Sequence, residues 1–316
     1  MSYEETNPQD INTKKVLKLL KPIFPDIKKS DVQFFYHGTY NLFIVKKDYI
    51  FRFPDRSFYN EKGYDLISRE VVFLDTIRDL ISFQIPKPLF VSEDETNPFM
   101  GYKKISGTSL SRCYDKTTGE EQEQIGEELA RFLSEYHSKK VFKIIKEKFY
   151  REVDTSIKEY QRSWQEYREK MESLVYPRLT REEKDWVRKL FDAFLENEEN
   201  FDFTPTVIHG DLDTSNILVN PKNYQITGII DFEEARIGDP ACDLIFIDEG
   251  EVFCDALFRN YKGQIDPGLK TRRKFYFCRT GIIYIHVGVE LSYPRMIEHG
   301  HELLQKQMKF SNLNYC

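Results

Sequence analysis

The chain has 316 residues, 40% of them hydrophobic and 15% aromatic, enough to bury one large core or the cores of two lobes. Fifty-two acidic against 46 basic side chains give a net charge of −6, which argues against nucleic acid as a partner. The five cysteines (Cys113, Cys242, Cys254, Cys278, Cys316) form no C-x-x-C pair, as suits reduced thiols in a cytoplasmic protein, while the acidic N-terminus is no signal peptide and no apolar run reaches bilayer-spanning length.

Residues 12–24 place Val16, Leu17, Leu20 and Phe24 on one helical face, with Pro22 straining the last turn. Residues 31–54 alternate as strands. Gly38, with Asn41 three residues on, lies between two of these runs, and His37-Gly38 also fits an ordinary hairpin turn. Arg52 sits on the last run, where a solvent-facing side chain is one reading. A helix is predicted over residues 65–80, with Leu66, Val71, Leu74 and Ile77 as its apolar stripe and Glu70 within it. Residues 85–93 lead into a further strand, and Met100–Ile105 form another before Gly107. Residues 119–138 are helical and end at His137, a packing or capping histidine. Residues 145–197 read as two charged helices, the second opened by a capping box of Thr180 and Glu183. Tyr160, Trp164 and Tyr167 recur there at helical spacing, as interhelix packing does. Residues 270–309 read as two more helices, with His286 in an apolar stretch and His299 and His301 too close in sequence for helical metal ligation.

The chemistry concentrates in residues 206–243. His209-Gly210-Asp211 is followed by Asn216 with the spacing of a kinase catalytic loop. Asp231 ends the apolar run Ile226–Ile230, and Thr206–Ile208 and Ile217–Val219 read as short strands that fix the loop between them. This spacing suits phosphoryl transfer: Asp211 to accept a proton from an attacking hydroxyl, Asn216 and Asp231 to hold Mg²⁺ against nucleotide phosphates. His209 fits a loop-fixing role. Asp239-Pro240 resembles an N-cap followed by proline at the first helical position, opening a helix that would carry Glu249 and Glu251 near its end.

These motifs, with Gly-Ile-Ile-Asp-Phe and Gly-Asp-Pro-Ala-Cys-Asp, resemble the aminoglycoside phosphotransferase family, small-molecule kinases with a protein-kinase-like fold. The GYKKISG and GIIDF stretches look closest to its 2″-aminoglycoside members. The resemblance implies an α+β, bilobal, protein-kinase-like fold: an antiparallel-sheet N-terminal lobe over residues 1–104 that binds nucleotide, and a mainly helical C-terminal lobe over residues 105–316. It implies that Gly38 and Asn41 lie over the phosphates. Arg52 would be the phosphate-binding cation paired with Glu70, and the backbone of Lys103 and Ile105 would hold the base. Asp243 would brace the loop. The donor would be ATP or GTP, a choice left open here.

Glu234, Glu249 and Glu251 favour a cationic small-molecule acceptor, since several carboxylates can each pair with an ammonium. An aminoglycoside is the expected substrate, and no membrane or nucleic acid is. A choline, homoserine, fructosamine or macrolide kinase with the same core is an alternative. A non-catalytic binding module is a third reading, against which the intact Asp211, Asn216 and Asp231 speak.

Overall fold

Asn12 opens the first helix, α1 (Thr13–Leu20), by accepting the Lys15 amide at 3.1 Å, and the helix ends before Pro22. The computed structural model describes residues 11–55, 62–92 and 94–310. Behind α1 stand the strands β1 (Val32–His37), β2 (Tyr40–Val45), β3 (Tyr49–Pro54), β4 (Pro88–Val91) and β5 (Met100–Lys103). They form one antiparallel sheet in the order β1-β2-β3-β5-β4. Successive side chains on a strand face opposite sides. On β3 this sends Phe51 and Phe53 towards α1, where they join Val16, Leu20, Phe43 and Phe99. Ile50 and Arg52 turn to the other face, against α2 (Gly63–Ile77).

The buried face of α2 carries Ile67, Glu70, Phe73, Leu74 and Ile77. Of the expected stripe, Leu74 and Ile77 are buried, while Leu66 and Val71 are only half-buried. The helix is rotated because a charged residue, Glu70, is drawn inward by Arg52 on the sheet, an attraction that an apolar pattern does not register.

After β6 (Thr108–Ser109) the chain becomes mainly helical. A Thr118–Glu121 capping box opens α3 (Gly119–Tyr136), and His137 closes it as its C-cap. An additional helix, α4 (Lys139–Phe149), precedes the two expected ones, α5 (Ile157–Leu174) and α6 (Arg181–Leu195), the last opened by the predicted Thr180–Glu183 box. Trp164 on α5 packs edge-on against Phe194 and Phe275, which stack on each other at 3.8 Å. Tyr160, Trp164 and Tyr167 are therefore packing residues between helices.

Four short strands then fix the chemistry-bearing loops: β7 (Thr206–Ile208), β8 (Ile217–Val219), β9 (Ile226–Ile229) and β10 (Arg236–Gly238). β7 pairs with β10, and β8 lies between β6 and β9. Asp239 caps as predicted, accepting the Ala241 amide at 2.9 Å with Pro240 next, but the turn it opens runs only from Pro240 to Asp243. Residues 244–250 are irregular, and α7 (Glu251–Asn260) starts after Gly250 at φ 93°. Glu249 and Glu251 thus precede and open a helix rather than end one. The carbonyls of Leu244 and Phe246 are taken by Arg273 at 2.5 and 2.8 Å, so they are engaged outside any helical ladder.

The C-terminal part also holds three helices instead of two: α8 (Leu269–Cys278), α9 (Thr280–Glu290) and α10 (Pro294–Phe310). The backbone at Arg279 (φ −78°, ψ −11°) separates the first pair. His286 is buried, as expected of the apolar stretch. Among the described residues no helix is long and apolar enough to cross a membrane.

Candidate active site

The loop from His209 to Asn216 leaves β7 through Gly210 at φ 86°. A Cβ at Gly210 would meet the Glu234 carbonyl at 2.6 Å, so both conformation and space call for glycine. Asp243 grips the loop from beneath. Its carboxylate accepts the backbone amides of His209 at 2.6 Å and Gly210 at 2.9 Å, and meets His137 Nε2 at 3.1 Å. Burial alone would raise the Asp243 pKa, but the His137 hydrogen bond and the adjacent histidines hold it below the usual value.

His209 Nε2 donates to the Ile230 carbonyl at 3.0 Å, so its proton sits on Nε2. Its buried ring lies 4.6 Å from Phe232, and burial lowers its pKa. His209 thus ties the loop to the end of β9. The Ile230 amide returns the link by donating to the Asn216 carbonyl at 3.0 Å. Asn216 Nδ2 donates to the Asp211 carbonyl at 2.8 Å, which leaves its side-chain oxygen as the acceptor end of the amide. Asp211, Asn216 and Asp231 are brought to one place by these bonds.

Asp211 faces the open cleft. The surrounding protein, then the charges of Asp231, Asp213 and Glu234, push its pKa up to about 8. Those same charges show that the Asp211 carboxylate lies in a cluster of acids.

Across the cleft, Arg52 Nη1 donates to Glu70 at 2.7 Å. Its Nη2 donates to Asp231 at 2.8 Å and to Glu233 at 3.2 Å, while the guanidinium lies over the Tyr40 ring. Burial opposes its charge, but Glu70 and Asp231 hold it firmly as a cation. The solvent-facing reading of Arg52 is therefore overturned, and Glu70 is its partner. Asp231 itself adopts φ 71°, unusual for a residue with a Cβ, which turns its side chain to this junction.

Gly38 and Thr39 form the two-residue turn between β1 and β2, and His37 faces Asn41 across it. His37 Nε2 meets Asp55 at 2.7 Å, and Asn41 Nδ2 donates to Asp55 at 3.4 Å. His37 is buried below the turn rather than lying in it. Lys103 ends β5 with an exposed side chain, and Ile105 is buried against Gly228 where the chain passes into the second lobe.

Of the acidic residues expected to meet an acceptor, Glu234 is exposed and lies 3.5 Å from Arg236. Glu249 is half-buried in the irregular 244–250 loop. Its backbone carbonyl accepts the Tyr114 hydroxyl at 2.5 Å, and its Oε2 is buried without a hydrogen-bond partner. Burial and Asp248, with a smaller part from Asp213, push its pKa up to about 8. Glu251 is exposed at the start of α7.

Sequence reasoning missed Asp55, Asp213 and Glu233. Glu233 carries only its position as a signal, an acid two residues beyond Asp231 in the segment after β9. Asp55 and Asp213 carry none, because their roles depend on contacts with other parts of the chain.

The donor set fits Mg²⁺. Asn216 and Asp231 offer hard oxygens, and Mg²⁺ is commonly held by one or two carboxylates with phosphates and water completing its shell. Among the described residues no group of three His, Cys, Asp or Glu side chains is placed to hold a metal ion by itself.

An antiparallel-sheet lobe with one buried Arg–Glu pair, a mainly helical lobe, and an Asp-Asn-Asp loop cluster between them define a protein-kinase-like fold. The phosphotransferase enzyme family model matches residues 31–265, and the chain belongs to that family. The chain is similar to solved structures of phosphotransferases. The GDP complex of aminoglycoside 2'-phosphotransferase-IIIa is 24% identical, with 96% of this chain and 100% of that chain covered and a TM-score of 0.82. The GDP and kanamycin complex of APH(2")-IIIa is 25% identical, covering 94% and 99%, at 0.79. Macrolide 2'-phosphotransferase MphH from Brachybacterium faecium is 17% identical, covering 92% and 97%, at 0.68.

Proposed function

We propose that this protein moves the γ-phosphoryl group of ATP or GTP onto a hydroxyl of an aminoglycoside, of the 2″ type, and so confers resistance to that antibiotic in the cytoplasm. The observation that carries the reading is the meeting of Asp211, Asn216 and Asp231 opposite Arg52, with carboxylates lining the cleft beside them. The similarity to a kanamycin-bound phosphotransferase supports the acceptor class.

In this reading residues 1–104 form the nucleotide-binding lobe and residues 105–316 carry the acceptor site. Arg52, with the backbone at Gly38 and the neighbouring Asn41, positions the phosphates, Glu70 holds Arg52 in place, and the backbone of Lys103 and Ile105 receives the base. Asn216 and Asp231 would hold Mg²⁺, which when bound would supply charge neutralisation on the phosphates. The acceptor oxygen attacks the γ-phosphorus as the bond to the β–γ bridging oxygen breaks. The hydroxyl proton passes to Asp211, and the nucleoside diphosphate leaves. Alignment and charge neutralisation supply most of the rate. Glu234, Glu249 and Glu251 receive acceptor ammonium groups.

The test is an acceptor panel assayed with ATP and with GTP, followed by mass spectrometry to locate the phosphate. Phosphorylated aminoglycoside is the expected product. Transfer only to choline, homoserine, a fructosamine or a macrolide would replace the substrate assignment, and no transfer to any acceptor would leave a binding module. Glu249→Gln is expected to raise the KM for a polycationic acceptor about tenfold, the worth of one hydrogen bond between charged groups. The nucleotide KM should stay unchanged. An unaltered acceptor KM would remove Glu249 from the binding site.

A further inference from the structure

We propose that Glu233 is an internal competitor of the nucleotide phosphates, holding Arg52 and the Gly38–Thr39 turn until the phosphates of a bound nucleotide displace it. The proposal rests on the nucleotide-binding reading given above. Its starting point is the crowding of one cation by three carboxylates: Glu70 at 2.7 Å, Asp231 at 2.8 Å and Glu233 at 3.2 Å.

An arriving phosphate needs a share of that cation, so one carboxylate has to yield. Glu70 is 4% exposed and belongs to the packed face of α2, so moving it would disturb the helix. Asp231 is fixed by its backbone at φ 71° and is a carboxylate that a divalent ion can neutralise in place. Glu233 sits on neither a packed helix face nor a left-handed backbone. It makes the longest of the three contacts, and it lies in the irregular segment between β9 and β10.

The other oxygen of Glu233 accepts the Thr39 hydroxyl at 3.2 Å, from a residue 194 positions away in the first lobe. One side chain therefore spans the cleft, fastening the turn above to the segment that carries Asp231 below. Phosphate oxygens at Arg52 would stand next to the Glu233 carboxylate, and like charges at that separation repel strongly in a partly buried site. When Glu233 swings away it frees both the Arg52 Nη2 donor and the turn. The turn can then settle over the phosphates.

Removing the competitor should tighten nucleotide binding, because apparent affinity is reduced by the fraction of protein held in the non-binding form. Glu233→Gln keeps the size and deletes the charge. Its Kd for ADP and GDP, measured by calorimetry with and without Mg²⁺ and without acceptor, is expected to fall about tenfold. Thr39→Val, which removes only the cross-cleft hydrogen bond, is expected to tighten binding about threefold and serves if the first variant does not fold.

Equal or weaker binding in both variants would overturn the proposal. Weakening confined to Mg²⁺-containing solutions would do so too, by making Glu233 a metal contact; equal loss with and without Mg²⁺ would make it a strut. Should the wild-type protein bind none of ADP, ATP, GDP or GTP, the functional reading itself fails and this inference falls with it.

Discussion

Asp211→Asn is expected to fold normally, bind nucleotide with unchanged affinity, and lose about 10²- to 10⁴-fold in turnover. The residue faces the cleft and contributes no buried packing, so the substitution leaves no cavity. The link from Asn216 runs to the Asp211 backbone carbonyl at 2.8 Å, while the side-chain contact is a long 3.4 Å. Exchanging the carboxylate for an amide therefore spares the bond that sets the loop. What disappears is the group able to take a proton. Single-turnover rates beside nucleotide titrations separate the two effects, and a variant turning over at near wild-type speed would remove Asp211 as the base.

Asp243→Ala should produce the opposite pattern, a loss of stability with activity falling as a consequence. Its buried carboxylate satisfies the His209 and Gly210 amides and meets His137 Nε2. Leaving a buried donor without its acceptor costs about 1–3 kcal/mol, and two backbone amides lose theirs here. Urea denaturation should show that loss, and the folded fraction should bind nucleotide but turn over slowly because the 209–216 loop is no longer held. Asp243→Asn keeps one acceptor oxygen and should recover part of it. Full stability in the alanine variant would show that the loop is fixed by other contacts.

The same network sets a direction for pH. His209 has a lowered pKa in the folded chain, so the unfolded chain binds its proton more readily. Its contribution is complete above 6.5, the ordinary histidine value, and is lost as pH falls below it. The Asp243 pKa is also depressed, so its contribution is complete above 3.8 and is lost as pH falls further. Thermal denaturation should therefore show stability declining in two acid steps. His209→Gln, able to donate to the Ile230 carbonyl without titrating, should flatten the first.

Much of this arrangement was legible in the chain. The distances between Asp211, Asn216 and Asp231 in sequence follow from short strands joined by one loop, and strand alternation puts Arg52 on the face opposite Phe51 and Phe53. Capping boxes at Thr118 and Thr180 depend on neighbours three residues apart. What stayed hidden depends on remote partners. The inward turn of α2 is set by the Arg52–Glu70 attraction. Glu233 has a contact 194 residues away, and Asp55 is met by His37 and Asn41 from the neighbouring strands. The absence of the expected helix over residues 244–250 has the same origin: Arg273 on α8, remote in sequence, takes the Leu244 and Phe246 carbonyls.

That last arrangement separates the course of this segment from the side chains it displays. Arg273 grips the Leu244 and Phe246 oxygens and Tyr114 grips that of Glu249, so these three anchors hold main chain and read no side chain at the positions they fasten. Residues such as Asp248 and Glu249 can be exchanged without unfastening them. Side chains along this segment can diverge while its path is inherited unchanged.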